Sequence, residues 1–270
     1  MARILVTNDD GIHSRGIYVL ADAVSDFGET WVVAPEKPKS ATGLGMTLHK
    51  PLRVKKIHGK ERTFAISGTP SDIIHIATNV IVGKVDMVVS GVNVGDNTSI
   101  QVILSSGTIG AAAQAALLGI PAVAFSMAVN DDDKIEEQKN MLKPIIRSVV
   151  HYVLTNGMPP GVDIISVNFP ERIGKNTEVK VARAAKTRWR ELVDERIDPM
   201  GEKYYWIYGK PTEIEVGTDV HVVFEEGNIA ITPLTLNLNI PVPNTEDSKI
   251  GQYFSGLCED MVSTIRKIYK

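Results

Sequence analysis

Residues 2–35, ARILVTNDDGIHSRGIYVLADAVSDFGETWVVAP, decide the fold class. The short apolar run 3–7 stops at Asn8, Asp9, Asp10 and Gly11, four residue types that favour turns. Ile17, Leu20, Ala21 and Val24 then recur at helical spacing, and Gly28 closes that helix. TWVVAP follows as a β-branched strand stopped by Pro35, which has no N–H to give to a ladder. Strand, helix and strand in succession read as a βαβ unit, whose crossover favours parallel pairing.

Working outward, Leu52, Val54 and Ile57 suggest extended chain, and FAIS follows the HGKER turn. Thr69 has the character of an N-cap, with Pro70 at the first helical position and Asp72 where a capping box needs its carboxylate. Ile73, Ile76, Ala77, Val80 and Ile81 supply the buried stripe of that helix. Strand VDMVVS, the loop GVNVGDN, a small-residue helix from about Gly107 to Leu118 and the strand IPAVAFS come next. Residues 134–154 predict a helix that Pro144 kinks or splits, followed by strand VDIISVNFP. The alternation predicts a three-layer, Rossmann-like α/β core with a mostly parallel sheet.

Beyond the core, EVKVARAA and KYYWIYG form a β-prone pair joined by a charged stretch, expected as a hairpin arm or a small appended sheet. DVHVVFEE alternates like a strand, but Thr218 as cap and Gly227 as stop favour a short helix. After the linker NLNIPVPNTEDSKIGQ, Leu257, Met261, Ile265 and Ile268 make one apolar face of a final helix. The expected division is 1–185 as metal- and phosphate-binding core, 186–244 as arm plus return segment, and 245–270 as linker and oligomerisation helix.

The chain has 270 residues, 43% of them hydrophobic and 23% charged, so a large core is available without disulfides and a disordered or collagenous chain is excluded. A formal charge of -3 gives no global field that would gather nucleic acid, and no stable nucleic-acid complex is expected. No run approaches 18 apolar residues, so no membrane association is expected, and a single cysteine fits a reducing compartment. The cytoplasm is the expected location.

Asp9 and Asp10 follow the first strand, on the edge where open parallel sheets bind ligands. Adjacent carboxylates repel, and a divalent ion relieves that repulsion. Ser40 in KPKSATGLG and Asn93 in SGVNVGDN add a hydroxyl and an amide oxygen after two further strands. Together, Asp9, Asp10, Ser40 and Asn93 suit one magnesium or manganese ion and make a poor site for zinc or a soft metal. Ser106, Gly107 and Thr108 open a helix whose free N–H groups and dipole can hold a phosphate, with Asn97 helping from the preceding loop. There is no G-x-G-x-x-G dinucleotide fingerprint in the required context and no G-x-x-x-x-G-K-[ST] phosphate loop. Cation plus phosphate cradle points to phosphoryl hydrolysis by a water that the metal activates, with Asp9 as an aspartyl nucleophile kept as an alternative.

The ordered set NDDG, PEKPKSATG, SGTPSD, SGVNVGDN, SSGTIGAA and YYWIYG resembles the SurE family of survival-protein nucleotidases over nearly the whole chain. The resemblance implies a divalent-metal phosphatase acting on nucleoside 5'-monophosphates, extending to 3'-monophosphates and short polyphosphate. It carries the metal role to Asp9, Asp10, Ser40 and Asn93, the first two also catalytic, and phosphate contacts to Asn97, Ser106, Gly107 and Thr108. It implies a homodimer or homotetramer built through an extended arm and an exchanged C-terminal helix. Two positions depart from the pattern: Lys39 stands where an arginine is common, and Ser105 where an aromatic residue or histidine is common. A non-catalytic phosphate- or nucleotide-binding module is the alternative reading.

Overall fold

β1 (Ala2–Thr7), α1 (Arg15–Val24) and β2 (Gly28–Pro35) form the expected βαβ unit, with the strands paired in parallel from Ala2↔Gly28 to Val6↔Val32. The structure, a computed structural model, describes residues 2–239 and 248–268. β3 (Val54–Lys56), β4 (Thr63–Ile66), α2 (Pro70–Ile76), β5 (Met87–Val94), α3 (Ser99–Ser105), α4 (Gly107–Leu117) and β6 (Ala122–Met127) follow. Next come α5 (Asp132–Glu137), α6 (Lys139–Asn156), β7 (Ile164–Phe169), β8 (Val179–Val181), β9 (Trp189–Ile197) and β10 (Lys203–Pro211). α7 (Asp219–Phe224), β11 (Ile229–Leu234) and α8 (Lys249–Ile268) complete the chain.

The main sheet runs β3-β4-β2-β1-β5-β6-β7-β11-β8. Its pairs are parallel except β3 with β4 and β7 with β11. Because its middle strands are covered on both faces, they read as continuous apolar runs. Ile4 and Val6 of β1 pack with Ile17 and Leu20 of α1 and with Leu142 and Ile146 of α6, all fully buried. α4 lies against β5 and β6 and against α2. The chain leaves β1 toward β2 and β4, then returns to β5 on the other side of β1. The carboxyl ends of β1 and β5 therefore flank the point where the connections diverge, which is where such sheets open a crevice.

Local signals hold where they were strong. Thr69 accepts a hydrogen bond from the Asp72 N–H at 3.2 Å while the Asp72 carboxylate accepts one from the Thr69 N–H at 2.9 Å, closing the capping box. Thr218 caps α7, so DVHVVFEE is helical over its first turn and a half.

Three expectations are corrected and one helix is added. β5 does not end at Ser90 but continues to Val94 through a register shift against β6, so Asn93 belongs to the strand and not to a loop. Residues 99–105, between the loop GVNVGDN and the small-residue helix, form a further helix, α3. The long helix breaks at Gln138, and Pro144 lies inside α6 as its sixth residue, past the first turn, where it removes one intrahelical hydrogen bond. KYYWIYG pairs with the charged stretch Trp189–Ile197, while Val179–Val181 joins the main sheet beside β11. The two-stranded arm is exposed on both faces, so charged residues fit it as well as apolar ones do.

Contacts divide the chain into a unit ending at Thr235 and a unit from Leu236 onward. In the second, α8 presents exposed Leu257 and Met261, and the rings of Tyr253 and Phe254 meet edge to face at 5.3 Å. The side chains of Ile265 and Ile268, and residues 240–247 of the expected linker, lie outside the described residues. Among the described residues no single helix is long and apolar enough to cross a membrane.

The shift in β5 brings α1 very close: a Cβ on Gly16 would lie 2.1 Å from the Val92 carbonyl oxygen. Gly16→Ala is therefore expected to destabilise the protein by about 2–3 kcal/mol, as overpacking against fixed backbone does. A urea titration reads this as a lower midpoint, and an unchanged midpoint would show that α1 can move away.

Candidate active site

The crevice at the ends of β1 and β5 is built around Asp9, which is 4% exposed. Its Oδ1 accepts the Thr108 hydroxyl at 2.5 Å. Thr108 is the second residue of α4, and its hydroxyl also lies 3.3 Å from Asn93 Oδ1. Burial pushes the Asp9 carboxyl up, while the Thr108 hydroxyl and the N–H groups of Gly107 and Thr108 pull it down; the net direction is up. Gly107 has to be glycine, because a Cβ there would sit 2.7 Å from Asp9 Cβ and 2.8 Å from Oδ2. The positive end of α4 thus faces a carboxylate.

Asp10 is half-buried beside it and accepts the Val94 N–H at 3.1 Å. Burial first, and the Asp9 charge second, push its carboxyl from an ordinary 3.8 up to about 7. Among the described residues neither aspartate has a Lys or Arg ion-pair partner. Asn93 Nδ2 donates to the carbonyls of Gly95 at 2.9 Å and Val94 at 3.2 Å, which turns Oδ1 toward Thr108 and Asp9. Two desolvated carboxylates without a counter-charge, next to an oriented amide oxygen, fit a hard divalent cation. Among the described residues no three His, Cys, Asp or Glu side chains cluster for a metal, so a cation here would draw on neutral oxygens as well.

Ser40 reaches the same edge through the loop after β2. The Lys39 N–H donates to the Asp9 carbonyl at 2.7 Å, and Ser40 follows, exposed. The loop is strapped down beyond it. Thr42 Oγ1 donates to the Lys39 carbonyl at 2.9 Å, and the Gly43 N–H donates to the Ser105 carbonyl at 2.9 Å. Thr42, which the sequence did not single out, lies against Gly107, with its hydroxyl 3.0 Å from where a Cβ would be. A small-residue match between SATG and SSGTIG was the available signal, since a Cβ on Gly110 would meet the Gly43 carbonyl oxygen at 2.1 Å.

Ser106 caps α4 by accepting the Ile109 N–H at 3.1 Å, leaving its own proton free to donate. Asn97 is buried; its N–H donates to Asn168 Oδ1 at 2.8 Å and its Nδ2 to Ser126 Oγ at 2.7 Å. Asn168 and Ser126 were not anticipated, because they lie on β7 and β6 and meet Asn97 only through sheet order. Asp132, at the start of α5, caps α1 by accepting the N–H groups of Arg15 at 2.5 Å and Gly16 at 3.1 Å.

The family model described as "Survival protein SurE" matches residues 4–191. The 5'-nucleotidase SurE of Hyperthermus butylicus is 55% identical over 244 residues, covering 88% of this chain and 86% of that protein. Its counterpart in Thermofilum pendens is 53% identical over 238 residues, covering 87% and 91%. The crystal structure of the SurE protein from Aquifex aeolicus superposes with a TM-score of 0.75 at 33% identity, covering 88% of this chain and 94% of that one.

The raised carboxyl of Asp10 has a measurable consequence. Unfolded Asp10 ionises near 3.8 and folded Asp10 near 7, so the stability it contributes is full below the first value and lost as pH rises through the second. With cations chelated, Asp10→Asn is expected to melt several degrees above the parent at pH 8, and the two should converge near pH 4. Equal melting temperatures at both pH values would mean that Asp10 is not desolvated.

Proposed function

The chain belongs to the SurE family, and from that premise we propose that it is a divalent-metal-dependent phosphomonoesterase hydrolysing nucleoside 5'-monophosphates to nucleoside and phosphate. The observation that carries the reading is the pair Asp9 and Asp10 at the crevice, without a cationic partner among the described residues and with Asn93 and Thr108 beside it. The names of the two archaeal relatives support the substrate class.

In this reading Asp9, Asp10, Ser40 and Asn93 hold one Mg2+ or Mn2+ per subunit. When bound, the cation supplies Lewis-acid stabilisation of phosphoryl oxygens and lowers the pKa of an attacking water. Thr108 fixes the rotamer of Asp9 by donating to Oδ1. Ser106 donates its free proton to the phosphate, Gly107 admits the phosphate close to backbone, and Asn97 is held in place by Ser126 and Asn168. Thr108 consequently serves the carboxylate more directly than the phosphate, because its one proton is already given to Asp9.

The reading includes a homodimer or homotetramer in the cytoplasm, with no membrane or stable nucleic-acid partner. Exposed Tyr205, Trp206 and Ile207 on the arm and exposed Leu257 and Met261 on α8 are the surfaces that would meet partner copies. Deleting residues 245–270 is expected to lower the mass measured by light scattering while leaving the α/β circular-dichroism signature. An unchanged mass counts against exchange of α8.

The central test is phosphate release from nucleoside 5'- and 3'-monophosphates and short polyphosphate, with and without Mg2+ or Mn2+. Thr108→Val is expected to lower kcat/KM by about 10- to 100-fold, the usual effect of removing a partner that orients a ligand. Asp9→Asn should lower it further and weaken Mn2+ binding in a titration. Phosphate binding without turnover under any metal would favour the non-catalytic module.

A further inference from the structure

α3 has no N-terminal cap of its own. Thr98 occupies the capping position but turns its hydroxyl back to the Asp96 carboxylate. The N–H groups that open a helix find no partner within it, so those of α3 need acceptors from elsewhere. The segment 185–219 provides them: the Ser99 N–H donates to Asp219 Oδ2 at 2.9 Å, the Ile100 N–H to the Ala185 carbonyl at 2.7 Å, and the Gln101 N–H to the Lys186 carbonyl at 3.3 Å.

Of these three acceptors only Asp219 is a side chain, and it is fully buried. Its Oδ1 accepts the N–H groups of Ala185 at 2.9 Å and Val220 at 2.8 Å. Oδ1 therefore serves the arm's root and α7, and among the described residues Oδ2 serves Ser99 alone. Ser99 is also fully buried and has a φ of +68°, a region where a Cβ is crowded and glycine is not. Two residues before it stands Asn97, whose N–H is fixed by Asn168 Oδ1 at 2.8 Å and whose Nδ2 is fixed by Ser126 Oγ at 2.7 Å. Asn97 thus sits between two anchors, β6 and β7 on one side and, through Thr98 and Ser99, the Asp219 carboxylate on the other.

We infer that Asp219 is a positioning residue for the phosphate: by holding Ser99 in its left-handed conformation it sets the turn 96–99 and, with it, the pose of Asn97 toward the substrate. This rests on the reading of Asn97 as a phosphate contact. Asp219 acts on that contact from 120 residues beyond Ser99 in the chain and touches neither metal nor substrate. A neutral amide cannot replace it. In Asp219→Asn the amide oxygen can keep the N–H groups of Ala185 and Val220, and the amide N–H then faces that of Ser99, donor against donor. The substitution removes the Ser99 bond with little change in volume and leaves the arm's root tied.

The test uses the full-length protein with Mn2+ and measures initial rates on AMP and on glycerol phosphate, which have the phosphate ester in common but not the base. Asp219→Asn is expected to raise KM about 10-fold for both, as displacement of a positioning group does, with Mn2+ affinity unchanged. Loss of folded protein lowers apparent kcat and leaves KM in place, so KM separates positioning from support of the fold. Adding Ser99→Gly is expected to recover most of the loss, because glycine takes a φ of +68° unaided. In an Asn97→Ala background, Asp219→Asn should add less than about 2-fold, since the two residues act through one contact. Ser99→Thr is the second variant: it keeps Asp219 and the hydroxyl, but a β-branched residue is driven out of the left-handed region, so KM should again rise for both substrates. KM unchanged in both folded variants overturns the inference while leaving the phosphatase standing, as does a loss that glycine fails to recover or that persists in full without Asn97. If the parent releases phosphate from neither substrate, the phosphatase reading fails by itself, and calorimetric titration with inorganic phosphate decides the inference. Binding weakened in Asp219→Asn and recovered with Ser99→Gly supports it, whereas no binding by the parent, or binding unchanged in the variant, overturns it.

Discussion

Asp9 is a carboxylate taken almost wholly out of water, and the surrounding structure is arranged to make that tolerable. A buried charge without a partner costs several kcal/mol, so compensation has to come from fixed dipoles and hydrogen bonds. The Thr108 hydroxyl and the first N–H groups of α4 provide it on one side, and the Lys39 N–H holds the Asp9 backbone carbonyl on another. Each of these contacts requires close approach. Gly107 cannot carry a Cβ because Asp9 fills that space, and Gly110 cannot because the loop after β2 does. The small-residue composition of α4 is thus a condition of the site as much as of core packing.

Asp10 is where compensation stops. It receives a single N–H from Val94, and its neighbour's charge opposes its own. The free protein therefore carries an electrostatic cost at the end of β1 that a divalent cation, in the proposed reading, would remove. Its geometry depends on the irregular end of β5. The shift between Ser90 and Asn93 re-aims the strand so that Asn93 Oδ1 turns to Thr108 and the Val94 N–H to Asp10. Close packing of Gly16 against Val92 supports that irregularity from below.

The arm is joined to this arrangement through α3. Buried Asp219 accepts the N–H groups of Ser99, Ala185 and Val220, tying the start of α3 to the arm's root and to α7. Ser99 has a φ of +68°, a conformation that a residue other than glycine keeps only when its surroundings insist on it. Gln101 then fastens the first residues of β9. Aromatic residues 204–206, the most conspicuous motif outside the core, lie further along an exposed strand, whereas Trp189, isolated in a charged stretch, is held by Gln101 of α3 at the root of the arm.

What the sequence by itself determined was whatever short-range physics controls. Turn-forming residues after apolar runs marked the ends of β1 and β2, helical spacing marked α1 and α6, and Thr69 with Asp72, and Thr218, marked helix starts. Since strand ends in a parallel sheet share one edge, the sequence alone groups Asp9, Asp10, Ser40 and Asn93. Tertiary structure decided what depends on partners far away in the chain. Thr108 gives its proton to Asp9 from 99 residues away, Asp132 caps a helix from 117 residues away, and Asn97 meets Asn168 from 71 residues away. β10 chose β9 over β8, and β5 ran past its apparent end, because a neighbouring strand offered hydrogen bonds there. Such choices turn on which backbone groups remain unpaired once the sheet is assembled, and no local pattern encodes that.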